Sequence, residues 1–261
     1  MWFFRFKEMQ KMIGLSRRKR RQLDKILGEI YARCRPLVVG FGGDLACGMN
    51  VRNSDLVLRG IFINPPEEWM GLAETTDSIE LENADVVLYG LRRGMDLLSF
   101  CDPPLFDLLG LRPEHYLICT DEWRMILDNR TAFFSKEAIY SYNLYIERRR
   151  KAFQVMLSRG EKNRKKLCVE MAQLVRFFAT GAELLMIGDI VPYREEEHEL
   201  LMDIRTGKYL NRRRLPTPEY WELLDEYRGA FRGAAISTHF RAAPDRDRIE
   251  ELTREIVRRS M

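Results

Sequence analysis

Between residues 37 and 63 the chain alternates short apolar runs with glycine, and few architectures tolerate that pattern. Leu37-Val38-Val39-Gly40 is too short for an amphipathic helix and reads as a buried strand. The glycines from Gly40 to Gly48 then bend the chain, because glycine enters backbone conformations closed to other residues. Residues 56–63 read as a second strand, and Pro65-Pro66 stops it. Residues 85–89 read as a third, running into a helix that ends near Pro103 and Pro104. From about residue 135 the pattern turns helical, with long helices over roughly 136–158 and 164–187 and shorter ones near 195–206, 219–229 and 245–259. The fold expected is α+β: a small mixed β-sheet core with flanking helices, plus a C-terminal helical domain. Its divisions would fall at 1–35 (a basic amphipathic helical segment), 36–115 (the α/β core) and 116–261 (the helical domain).

With 46% apolar and 11% aromatic residues, the 261-residue chain can bury a sizeable core and falls outside the disordered and low-complexity classes. No apolar run is long enough for a transmembrane helix, and Arg5 interrupts the opening segment before it can act as a secretory signal. Cys34, Cys47, Cys101, Cys119 and Cys168 are widely spaced, and His115, His198 and His239 are isolated. Neither a zinc site nor a disulfide framework is expected from that spacing. The cysteines read as buried small hydrophobes of an intracellular, reducing compartment.

Charge is segregated along the chain. Residues 1–40 hold 11 Lys/Arg against 3 acids, and residues 148–166 hold 9 against 1, although the net charge of the whole is only +4. Such runs suit a surface facing phosphates, which makes RNA or DNA the expected partner of segments 17–21 and 148–166; the plainer reading is solvated helix ends. Trp2, Phe3, Phe6, Met9 and Ile13 recur at near-helical spacing, so residues 1–21 could also dock on a protein partner or a membrane surface. Ser16 suits the N-cap of a helix reaching Cys34, with Leu23, Ile26, Leu27, Ile30 and Tyr31 as its apolar stripe.

The stretch richest in chemistry is Gly43-Asp44-Leu45-Ala46-Cys47-Gly48 followed by Ser54-Asp55-Leu56-Val57-Leu58-Arg59-Gly60-Ile61-Phe62. It resembles the DNA polymerase beta-like nucleotidyltransferase superfamily, and within it the RNA repair pathway branch, whose pattern approximates G-S-x-x-x-G and then S-D-x-D-x-R-G-(V/I)-F. Asp102-Pro103 with Asp107-Leu108-Leu109, Ser135-Lys136, the 174–178 and 181–185 helical runs and Ile204-Arg205-Thr206-Gly207-Lys208 extend the resemblance over about 36–210.

The resemblance implies transfer of a nucleotide from a nucleoside triphosphate to a nucleic-acid end, with Mg²⁺ held by carboxylates. Two metal ions clamp the attacking and leaving oxygens, and side chains two apart on a strand share the face that would hold them. On that reading Asp55 and Asp85 are the catalytic metal ligands, with Glu80 or Glu82 as substitutes for Asp85. Gly43, Gly48 and Ser54 shape the phosphate turn, and Lys136 and Arg176 either hold the triphosphate or merely form salt bridges. The departures fall on the reacting centre. Val57 stands where the family has its second Asp, Asp44 stands in place of the turn Ser, and Val169, Glu170 and Gln173 occupy a segment that carries Lys and His in the family. Asp44 either repels a phosphate or replaces the missing metal ligand. The expectation is a nucleotidyltransferase fold with impaired catalysis; the alternative is a non-catalytic nucleic-acid-binding or scaffold subunit.

Overall fold

A computed structural model describes residues 15–52, 54–70, 74–81 and 84–260. The amphipathic pattern of residues 2–13 and Glu82 lie outside the described residues. The elements run α1 (Arg17–Arg33), β1 (Arg35–Phe41), α2 (Gly43–Ala46), β2 (Val57–Ile63), α3 (Pro66–Met70), β3 (Ser78–Glu80), β4 (Asp85–Gly90), α4 (Leu91–Ser99), α5 (Pro103–Phe106), β5 (Tyr116–Cys119), α6 (Asp121–Asp128), α7 (Glu137–Ser158), α8 (Arg164–Ile187), α9 (His198–Thr206), α10 (Pro218–Ser237) and α11 (Arg246–Ser260). The fold is α+β, a five-stranded mixed sheet among helices.

The sheet order is β3-β4-β2-β1-β5, with β2 and β4 parallel and the other neighbours antiparallel. Two of its strands carry no clear sequence signal. β3 is three residues long, and β5 falls at 116–119, past the point where the sheet was expected to end. β5 pairs with β1, Val38 opposite Cys119, so the sheet draws its edge from the stretch assigned to the helical domain.

Alternation along the strands builds two apolar layers. Leu58 and Phe62 of β2, Val86 and Leu88 of β4 and Val39 and Phe41 of β1 pack under Leu23, Ile26, Leu27 and Ile30 of α1. Ser16 caps that helix, accepting from the Lys19 N–H at 3.4 Å. Tyr31, expected in its apolar stripe, is instead 54% exposed. Ile61 and Ile63 point to the opposite face and join a core that continues through Leu98 and Trp123 to Phe178, Phe231 and Ile256. The sheet and the helices after it therefore share one interior.

α8 is the axis of the helical half. Asn163 caps it by accepting from the Lys166 N–H, Gly188 at φ +69° ends it, and Leu167, Met171, Leu174, Val175 and Phe178 are buried along it. Among the described residues no helix is long and apolar enough to cross a membrane. Cys47, Cys101 and Cys168 are buried, and all five cysteines are free thiols.

Candidate functional site

Strand alternation decides which residues of the 54–62 stretch face outward. Leu56 and Leu58 enter the core beneath α1, so Asp55, Val57 and Arg59 point the other way. The parallel register of β2 and β4 sets Val57 opposite Asp85. Behind Val57 lies the glycine turn: a Cβ on Gly43 would stand 3.2 Å from Val57 Cγ2, and Gly43 has φ +57°, so glycine is required there both for conformation and for room. The Gly42 N–H already donates to the Val57 carbonyl at 2.8 Å.

Opposite this surface α8 presents Val169, Glu170, Gln173, Arg176 and Phe177 at helical spacing, and α7 adds Tyr145 and Arg149 one turn apart. Together the walls enclose a cleft of about 280 Å³. A wider groove of about 890 Å³ opens on the other side of Asp55 and Asp85, against the first turns of α1. The two cavities share those two aspartates.

The structure thus brings Gly43, Asp44, Asp55, Asp85 and Arg176 to one cleft, together with Val169, Glu170 and Gln173. Ser54 lines the wider groove and donates from its hydroxyl to Asp44 Oδ2 at 2.7 Å. Gly48 and Lys136 are not among the cleft residues. Gly48, at φ +72°, backs onto Tyr193, whose ring would lie 2.4 Å from an added Cβ. Lys136 is exposed before α7, with its backbone N–H donating to the Arg241 carbonyl. Glu80 sits exposed on the edge strand β3, away from the cleft, whereas Asp85 lies in it.

Every acid lining the cleft is ion-paired. Asp44 meets Arg205 of α9 at 2.8 Å, Asp55 meets Lys165 at 2.9 Å, Asp85 meets Arg59 at 2.8 Å, Asp107 meets Arg176 at 2.9 Å, and Glu170 meets Arg149 at 2.9 Å. Two of these pairs are buried. Arg205 donates from both Nε and Nη2 to Asp44 Oδ2 (2.9 and 2.8 Å), so the Ser54 hydroxyl and a guanidinium converge on one oxygen. Arg176 reaches both oxygens of Asp107 (3.2 and 2.9 Å) and the Gln173 side chain at 3.0 Å, with Phe177 stacked under its guanidinium. Burial, the largest single influence, disfavours the Arg176 charge, but Asp107 together with the smaller effects of Cys47, Tyr145 and Tyr142 outweighs it and keeps the guanidinium charged. Cys47, adjoining this pair, has its thiol pushed up to about 12 by burial and is no nucleophile.

This donor set does not fit a pair of divalent cations. Two-metal transfer needs clustered carboxylates with lone pairs to give. Here Val57 offers none, and an Arg and a Ser already occupy one Asp44 oxygen. Among the described residues no group of three or more His, Cys, Asp or Glu side chains could hold a metal ion. Asp44 is thus neither a spare ligand nor a bare repulsive charge: its charge is spent on Arg205.

Four cations central to this arrangement, Arg59, Arg149, Lys165 and Arg205, are not among the site residues expected from the sequence. Arg59 and Arg205 sit inside segments that carry the resemblance, which is the signal that could have found them. Arg149 and Lys165 belong to the basic run 148–166, read as a partner-facing surface, and both turn inward onto cleft acids.

Residues 36–214 match a protein-family model described as RlaP, RNA repair pathway DNA polymerase beta family. No curated protein and no solved structure matches the chain.

Proposed function

Because the chain belongs to the RNA repair pathway DNA polymerase beta family, a nucleotidyltransferase-type family, we propose that it keeps the family's scaffold but not its nucleotide-transfer chemistry. On this reading it works by binding nucleic acid. The observation that carries this is the pairing of all five cleft acids with Lys or Arg side chains, beside a valine facing Asp85. Protein cations stand where a two-metal clamp would require ions. Opening the buried Asp44–Arg205 or Asp107–Arg176 pair to free a ligand would cost about 3–5 kcal/mol, because each leaves an uncompensated buried charge. Neither Mg²⁺ nor a nucleoside triphosphate enters this function. The balanced charge of the cleft gives a triphosphate little to bind, whereas the basic residues at its mouth suit a nucleic-acid backbone.

One observation favours a second reading, an active enzyme. The two aspartates that match the family motif, Asp55 and Asp85, are 75% and 53% exposed, and exposed pairs such as theirs are worth only about 0–1 kcal/mol. A metal ion could compete for them.

The test is an extension assay with the full chain, labelled nucleoside triphosphates, Mg²⁺ or Mn²⁺, and a single-stranded RNA. The proposal expects no extension beyond that of Asp55→Ala. Extension that Asp55→Ala abolishes would establish the enzyme instead.

A further inference from the structure

The groove of about 890 Å³ between α1 and the starts of β2 and β4 has one wall outside the residues matched to the family, since α1 precedes them. Arg18 and Lys19 come from α1 and Arg52 from the segment before β2. Among the described residues neither Arg18 nor Arg52 forms an ion pair, and both are exposed. The acids on the groove, Asp55 and Asp85, are already matched by Lys165 and Arg59 from other walls. The groove is therefore left with uncompensated positive charge on two facing elements, interleaved with the hydroxyl and amide groups of Ser16 and Gln22. Arg and Lys mixed with Ser and Gln is the donor set that grips a sugar–phosphate backbone.

Beside the groove Lys165 Nζ lies 2.9 Å from both oxygens of Asp55, a cation seated on a two-oxygen anion as it would be on a phosphate. Asp55 acts on Lys19 as well: burial lowers the Lys19 pKa, and the nearby carboxylate works against that shift.

We propose that this groove binds the phosphodiester backbone of a nucleic-acid strand, and that Asp55 occupies a phosphate seat on its rim as an internal competitor. The proposal deepens the preceding reading and rests on it in one respect, that Asp55 holds a lysine rather than a metal. It gives Asp55 a role of the opposite sign to that of a catalytic ligand: removing its charge improves binding.

The experiment is fluorescence anisotropy of the full chain with a short labelled single-stranded RNA, without divalent metal, at rising salt. Three phosphate contacts on a single strand give a slope of log affinity against log salt of about −2. Arg18→Ala, Lys19→Ala and Arg52→Ala each reduce that slope by about 0.7, and the triple variant loses at least about tenfold in affinity at low salt. Asp55→Asn tightens binding by about fivefold, the worth of a good exposed pair. Thermal melts confirm that the variants are folded. The proposal falls if the triple variant binds like the unaltered chain, if Asp55→Asn weakens binding, or if anionic lipid vesicles bind while the RNA does not. It also falls if inorganic phosphate displaces the RNA as well as an unlabelled strand does, since the site would then be a single-anion pocket. RNA extension in the earlier assay would sink the silenced-enzyme reading and the competitor role of Asp55 with it, leaving the Arg18, Lys19 and Arg52 contacts standing; failure of these variants would do the reverse.

Discussion

The floor and the mouth of the cleft use the same device, an acid closed by a base, with opposite physical consequences. On the floor, Asp107–Arg176 and Asp44–Arg205 have side chains between 2% and 8% exposed, and each pair bridges parts of the chain distant in sequence. At the mouth, the carboxylates of Asp55–Lys165 and Asp85–Arg59 are more than half exposed. Attraction between unit charges at about 4 Å rises from about 1 kcal/mol in water to about 4 kcal/mol at an effective dielectric of about 20, and the cost of leaving one charge unpaired rises with it. The floor pairs tie α8 and α9 to the short helical turns at 107–109 and 43–46, whereas the mouth pairs are exchangeable with solutes. The cleft is thus divided between architecture and surface.

The division can be attacked where it predicts most. Arg176→Ala leaves Asp107 buried and alone, and should lower the unfolding free energy by about 3–5 kcal/mol in denaturant titration; the double change Arg176→Met with Asp107→Leu should recover most of it. A loss below about 1 kcal/mol in the single variant would erase the distinction between floor and mouth. Asp44→Ser restores the residue the family pattern has in the turn. It should nonetheless cost about 2–3 kcal/mol, because the buried Arg205 loses its carboxylate and keeps only weaker hydroxyl partners. Lys165→Ala at the mouth should move stability by less than about 1 kcal/mol in the same titration.

The smallest effect concerns the back of the turn, where Gly48 meets Tyr193 and the Tyr193 ring packs near His115. Burial lowers the His115 pKa, so the folded chain binds that proton less readily than the unfolded one. The stability gained by keeping His115 neutral is present above about pH 6.5 and lost as the pH falls through the lowered value. The melting temperature should drop as the pH falls below about 6.5, and His115→Phe should shrink that drop. An unchanged pH profile in His115→Phe would remove His115 from the account.

Much of the fold was legible because local rules and burial agree. The apolar run 37–39, the proline stop at 65–66 and the long periodic stretches at 136–158 and 164–187 correspond to β1, the end of β2, α7 and α8. The three-residue β3 and four-residue β5 were not legible: strands that short owe their existence to the neighbour they pair with, and no periodicity can develop in them. In the candidate site, the meeting of Asp44, Asp55 and Asp85 is what the family resemblance implies, and the cleft holds all three. Their cations were not legible, since Lys165 lies 110 residues from Asp55 and Arg205 lies 161 from Asp44.

The sequence by itself determined the strands β1, β2 and β4, the glycine turn behind Val57 and the outward face carrying residues 55, 57 and 59, because backbone sterics and two-residue alternation act over a few residues. Tertiary structure alone decided what those residues face. Charge pairing depends on distance and dielectric, and only the packing of α1, α8 and α9 against the sheet sets both.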